Sequence, residues 1–204
     1  MFFIFKEAMK RLLTIFLAAL FIPSVASAMI LVRIPGVKGD ANIPGYNDGN
    51  WFVADSFAFG VERELRESGE KGGTEDINIG LGELQLCTIS RGLDRASARL
   101  MQLAINGNAT ATADIHFLQF SQGNPPVVYL AYKLDRCFIK SWSTSGDADD
   151  RPTEEVAFYY NKIAFRYYHT TDGIKFTDGG VMSWDLVASK PWSGHNLPTT
   201  PPNP

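Results

Sequence analysis

Trp51-Phe52-Val53-Ala54-Asp55-Ser56-Phe57-Ala58-Phe59-Gly60-Val61-Glu62-Arg63-Glu64-Leu65 puts bulky apolar side chains at every second position through Trp51, Val53, Phe57, Phe59 and Val61. Alternation with a period of two places such residues on one face of a strand and leaves the other to solvent. The stretch predicts one long, half-buried strand over 51–65.

The same period recurs on both sides of it. Residues 29–34 are short and apolar, and 77–89 alternate through Ile77, Ile79 and Leu81 before shifting phase to Leu84, Leu86 and Thr88. Gly80 and Gly82 flank that shift, which predicts a bulge. Further strand patterns cover 112–120, 127–142, 155–168 and 181–187, all crowded with aromatic and β-branched residues. In the 155–168 pattern, Phe158 and Tyr160 are out of phase with Phe165 and Tyr167, so the four cannot share one inward face without a bulge. The fold class is mainly β.

One segment departs from this. Leu93, Ala96, Leu100, Leu103 and Ala104 are spaced by three and four, which predicts a single amphipathic helix over 94–106. Asp94 or Ser97 is placed to cap its start, and Gly107 to supply a left-handed stop. The final residues, 193–204, hold four prolines and no apolar period, and read as a disordered tail.

The first 28 residues read as an export signal. Lys6, Lys10 and Arg11 precede an apolar run over 12–22, Pro23 ends it, and Ala26-Ser27-Ala28 forms a small-x-small cleavage motif. Cleavage between Ala28 and Met29 would leave one domain over 29–192 and place the protein in the periplasm or outside the cell, with no membrane contact thereafter. A translation start at Met29 would instead keep it cytoplasmic until secretion. Three of the 19 Lys and Arg and one of the 22 Asp and Glu lie in the leader, so the remaining 176 residues carry a net charge of −5. Nucleic acid, which requires a basic surface, is excluded as a partner.

Cys87 and Cys137 are the only cysteines, and in an oxidising compartment they are candidates for one disulfide. Two separate buried thiols are the alternative. Catalytic chemistry is nearly absent from the sequence. His116, His169 and His195 stand alone, and His116 in its strand and His195 in the tail read as solvated. No nucleophile elbow, zinc motif, phosphate loop or dinucleotide fingerprint occurs. Asp147, Asp149 and Asp150 lack the glycine and terminal glutamate of a calcium loop and read as a wet turn. No catalytic residue, metal ligand or cofactor is expected, and the chain reads as a non-enzyme.

The order of motifs resembles the haemolysin-coregulated protein family, Hcp, whose members build the tube of type VI secretion. Arg33-Ile34-Pro35-Gly36-Val37-Lys38-Gly39-Asp40 is similar to the family's opening K-I-x-G-I-K-G-E, and Phe57-Ala58-Phe59-Gly60-Val61 to its S-x-S-W-G, with Phe59 in place of tryptophan. Asp94-Arg95-Ala96-Ser97-Ala98-Arg99-Leu100-Met101 follows the D-K-x-[ST]-P-x-L helix through to Gly107. Pro152-Thr153-Glu154-Glu155-Val156, Lys162-Ile163, Tyr167 and Trp184-Asp185 follow the remaining pattern, so the resemblance spans about 30 to 190.

The resemblance implies a small antiparallel β-barrel of two sheets with one flanking helix. It also implies self-association into a homohexameric ring, stacking of rings into a tube, and contact with tip or effector proteins. The loop over 40–50 lies where the family reaches toward an adjacent ring, and Tyr160 and Tyr167 are the candidate ring-interface aromatics, with the helix on a wall. A cleavable leader is foreign to a tube assembled in the cytoplasm. It opens a second reading, an exported Hcp-like filament, adhesin or binding protein outside any secretion machine. A third, a secreted carbohydrate binder using Tyr159-Tyr160 or Tyr167-Tyr168 as a platform, is weakened because adjacent strand residues face opposite ways.

Overall fold

The computed structural model describes residues 27–63, 65–67, 77–79, 82–120, 125–170 and 175–197. Thirteen strands and one helix follow in the order β1 (Ser27–Arg33), β2 (Trp51–Ala54), β3 (Ser56–Ala58), β4 (Val61–Glu62), β5 (Leu65–Glu67), β6 (Ile77–Ile79), β7 (Glu83–Leu84), β8 (Cys87–Gly92), α1 (Ser97–Asn106), β9 (Thr110–Phe120), β10 (Val127–Ser145), β11 (Thr153–Tyr159), β12 (Lys162–Thr170) and β13 (Phe176–Asp185). The hydrogen-bonded path runs β2-β1-β9-β10-β11-β8-β3, with β12 on β10 and β13 on β12. All pairings are antiparallel. The mainly-β class and a helix within 94–106, the one helix among the described residues, agree with the sequence. The path is an open run of strands from β2 to β3, not the closed barrel expected from the sequence.

The 51–65 stretch is not one strand. At Asp55 the chain leaves β1 and joins β8: Asp55 N donates to Ser90 O at 2.8 Å, and Gly92 N donates to the Asp55 carboxylate at 3.1 Å. A strand that changes partners must break where the ladder changes, and an acidic side chain that accepts a neighbour's N–H marks the break. The 155–168 pattern also divides, into β11 and β12, around a turn in which Asn161 N donates to Asp135 O. Residues 155–168 therefore need no bulge to reset their phase. The predicted bulge at Gly80 lies outside the described residues.

β10 is long enough to serve both sheets. Its first part pairs β12 up to Asp135, and its second pairs β11 from Phe138. Between them Arg136 adopts a left-handed φ of 51°, uncommon for a non-glycine residue, so the backbone turns where the partner changes. The two sheets enclose one apolar core that includes Phe52, Ile89, Ile115, Leu134, Val156, Phe158 and Ile163. Full burial of each such side chain contributes about 1.5–3 kcal/mol.

The helix packs on β10 through Leu100 and Leu103. It begins at Ser97, three residues later than its apolar spacing suggested, because Asp94 and Ser97 are bonded outside it. Asp94 accepts from Ala96 N at 2.6 Å, and Asp94 N donates to Ser97 Oγ at 3.0 Å. Gly107 ends it at φ 62°, its N–H donating to Leu103 O. The described start of the expected tail is ordered: Leu197 is 5 % exposed against Ala131 and Ala164. Residues 198–204 and the leader up to residue 26 lie outside the described residues.

Candidate functional site: charged networks and exposed aromatics

Arg91, at the end of β8, is only 2 % exposed. It pairs with Asp94 and, at 3.2 Å, with Glu154, and its guanidinium lies 4.6 Å from the centre of the Phe52 ring. Glu154 is saturated from three sides, since Ser97 Oγ donates to it at 3.0 Å and Trp142 Nε1 at 2.7 Å. Three separate segments thus meet on one carboxylate at the start of α1. A buried charge is tolerated only where it is paired and hydrogen-bonded, and this network ties the helix to both β8 and β11. Of these residues, sequence reading singled out Asp94 and Ser97 for capping and as part of the helix motif, and Glu154 within the Pro152–Val156 motif, but gave none of them a role in a buried network; Arg91 and Trp142 it did not single out.

A second network lies on the outer face of β1, β9 and β10. Asp114 accepts from Arg33 at 2.8 Å and Lys133 at 3.0 Å. Burial raises the Asp114 pKa, but these two cations more than offset it and hold the carboxyl below its ordinary range. Arg33 also stacks over Trp51 at 4.9 Å. Trp51 and Tyr46 in turn enclose His116, whose Nδ1 shares a 3.0 Å hydrogen bond with the Tyr46 hydroxyl. His116 is therefore not the solvated residue its strand position suggested. Burial pushes it down to about 4, and burial likewise raises Tyr46 to about 12. The 40–50 loop is thereby fastened to its own sheet, with Ala41 buried beside Leu31, Trp51 and Leu118.

The residues proposed from the sequence fare differently. Ala28 and Met29 lie within β1, paired with Gln119 and Leu118. Cys87 and Cys137 are both free thiols in the core. The expected disulfide is not formed because β11 runs between β8 and β10, with Phe158 paired to Cys87 on one side and Ile139 on the other. Strands two apart in a sheet are separated by about 9–10 Å, beyond the roughly 7 Å that a bridge can span. Burial pushes both thiols up to about 12. A thiol-reactive dye is therefore expected to label neither cysteine in the native protein and both after unfolding without reductant. No label on either cysteine after unfolding without reductant, with both labelled once reductant is added, would refute the register.

Tyr160 is also corrected. It is 3 % exposed in the core, and its hydroxyl donates to Gln85 O at 2.7 Å, so it is not an interface side chain. Burial raises its pKa well above the ordinary value. Tyr167, by contrast, is 41 % exposed. A Cβ at Gly179 would sit 2.7 Å from its Cδ1, so the glycine makes room for the ring. Tyr159, Val181 and Trp184 are also exposed. The Asp147 turn bonds internally, its carboxylate accepting from Asp149 N and Asp150 N.

These features define a mainly-β, two-sheet subunit with one flanking helix, whose polar networks fasten its own segments and whose surface retains unpartnered aromatics. A family model described as "Type VI secretion system effector, Hcp" matches residues 31–167. The chain belongs to the Hcp family. Three solved structures share the fold. A type six secretion system protein aligns with a TM-score of 0.70 at 21 % identity, over 80 % of this chain and 99 % of that one. Hcp1 from Salmonella typhimurium aligns at 0.61 and 18 %, over 81 % and 99 %. A type VI secretion system effector from Yersinia pestis aligns at 0.52 and 15 %, over 76 % and 98 %. No curated protein matches. Hcp is a family of structural tube proteins rather than enzymes, and the chain is a type VI secretion tube subunit.

Proposed function

We propose that this subunit closes into a homohexameric ring without catalysis, that rings stack, and that the stack carries effectors below a secretion tip. The observation that carries the reading is the match to the Hcp model across 31–167. Exposed Tyr159, Tyr167, Val181 and Trp184 support it, because aromatic residues are enriched where subunits meet. The exported filament or adhesin reading is not favoured by the family match.

Light scattering at micromolar concentration is expected to return a mass six times that of the subunit, and a monomer across that range would overturn the ring. Tyr167→Asp is expected to shift the protein toward monomer with its circular dichroism unchanged, since a carboxylate enclosed without a partner costs several kcal/mol.

The leader is part of the proposal. We infer that the chain is an Hcp variant whose first 28 residues direct export, supported by the charged, apolar and small-x-small segments that precede Met29. Among the described residues no helix is long and apolar enough to cross a membrane. Intact mass of protein recovered outside the cytoplasm is expected to correspond to a chain beginning at Met29. Recovery of only the uncleaved chain would remove the leader from the account.

A further inference from the structure

The bond that ends the leader does not lie in a linker ahead of the fold. Ser27, Ala28 and Met29 are the first residues of β1, paired with Phe120, Gln119 and Leu118 of β9. β2 joins the other side of β1 only from Ile30, so among the described residues β9 alone pairs with this end of the strand. Just beyond the Ala28–Met29 bond the chain enters the body of the protein. Met29 packs against the cluster of Leu31, Trp51 and Leu118, and Leu31 and Val32 are both 0 % exposed.

An enzyme that binds an extended segment pairs with its backbone N–H and C=O groups as an added strand does. In β1 the groups facing β9 are already committed, and a committed group leaves its partner before it serves another. The enzyme must also grip residues on both sides of the bond, and on the far side Leu31 and Val32 anchor them in two separate clusters. Freeing the bond therefore requires β1 to open, and cleavage draws only on the opened fraction. The hydrolysis itself adds one water across the amide, leaving a carboxylate on Ala28 and an ammonium on Met29, so no further reactant is needed.

We propose that Ala28–Met29 is a fold-gated processing site: the leader is removed only while β1 is unpaired from β9, and a copy that folds first keeps its leader. This rests on the export reading and adds an order of events to it, in which translocation and cleavage precede folding. A subunit that folds in the cytoplasm is thereby barred from the processed pool.

The test incubates the whole protein, leader included and folded in detergent, with purified signal peptidase, and follows intact mass. A first variant carries a flexible spacer of about six Gly and Ser residues between Met29 and Ile30, which moves the unaltered motif out of the ladder. A second, Leu31→Asp with Val32→Asp, keeps the motif and prevents β1 from docking, because buried unpaired charges are not tolerated. Wild type is expected to be cleaved on the order of a hundredfold more slowly than either variant. Equal rates for folded wild type and the spacer variant would overturn the gate while leaving the leader in place. A spacer variant as resistant as wild type, with the undocked variant cleaved, would place the block elsewhere in the fold and also overturn it. Resistance of all three chains would remove the leader, and the gate with it.

Discussion

Glu154→Ala is expected to destabilise the protein by about 3–5 kcal/mol, the cost of breaking a buried ion pair from one side. The substitution leaves Arg91 buried with Asp94 alone, and strips the acceptor from both Trp142 Nε1 and Ser97 Oγ. Domains of this size are stable by only about 5–15 kcal/mol, so the loss is a large share of the total. Urea unfolding followed by tryptophan fluorescence measures it. Glu154→Gln retains the shape and an oxygen for Trp142 but not the charge, and should fall between wild type and alanine. Arg91→Met with Glu154→Leu, which removes both charges, should cost less than Glu154→Ala. If the double replacement is the worse of the two, the pair stabilises the fold more than its desolvation allows and the account of the network fails.

Acidification from about pH 6.5 to pH 4 is expected to remove roughly 3 kcal/mol of stability through His116 alone. Its folded pKa is lowered to about 4, first by burial and then by Arg33 and Lys133, with Asp114 opposing them. Between the two values the unfolded chain binds a proton that the folded chain refuses. The contribution is therefore whole above pH 6.5 and declines as pH falls toward 4. Charging the ring in place sets a cation beside Arg33 and Lys133 in a site that holds little water, which is the cost the lowered value expresses. Asp114, held below its ordinary range, adds a loss of the same sign at still lower pH. Stability measured against pH should show this slope, and His116→Phe should flatten it. A wild-type profile that is level from pH 6.5 to 4.5 would refute the buried, neutral histidine.

The exposure of Tyr167 was legible in the sequence, whereas the burial of Tyr160, Arg91 and Glu154 was not. The Tyr167 assignment rests on phase within a strand, which is local, and its side chain is exposed. Tyr160 belongs to the same pattern, but the turn at Asn161 comes directly after it and folds it inward onto Gln85. The turn's local mark is Asn161 alone, a turn-favouring residue, and what completes it is remote, since the group that accepts from Asn161 N is the carbonyl of Asp135 on another strand. Arg91 and Glu154 stand 63 positions apart and lie just outside the strand patterns at 77–89 and 155–168. Their burial depends on a helix that closes over the strand ends, which periodicity does not convey.

By itself the sequence determined what is local: the β class, the helix with its left-handed stop at Gly107, and a motif order sufficient to place the chain in the Hcp family. Alternation and three-four spacing are properties of consecutive residues, so they survive without knowledge of neighbours. Only the tertiary structure decided which strands lie side by side. That choice broke 51–65 at Asp55, put β11 between the two cysteines and laid Leu197 on Ala131 and Ala164. The physical reason is that a ladder is completed by N–H and C=O groups from distant segments. A strand's own side chains specify which face it buries but not which partner it buries that face with.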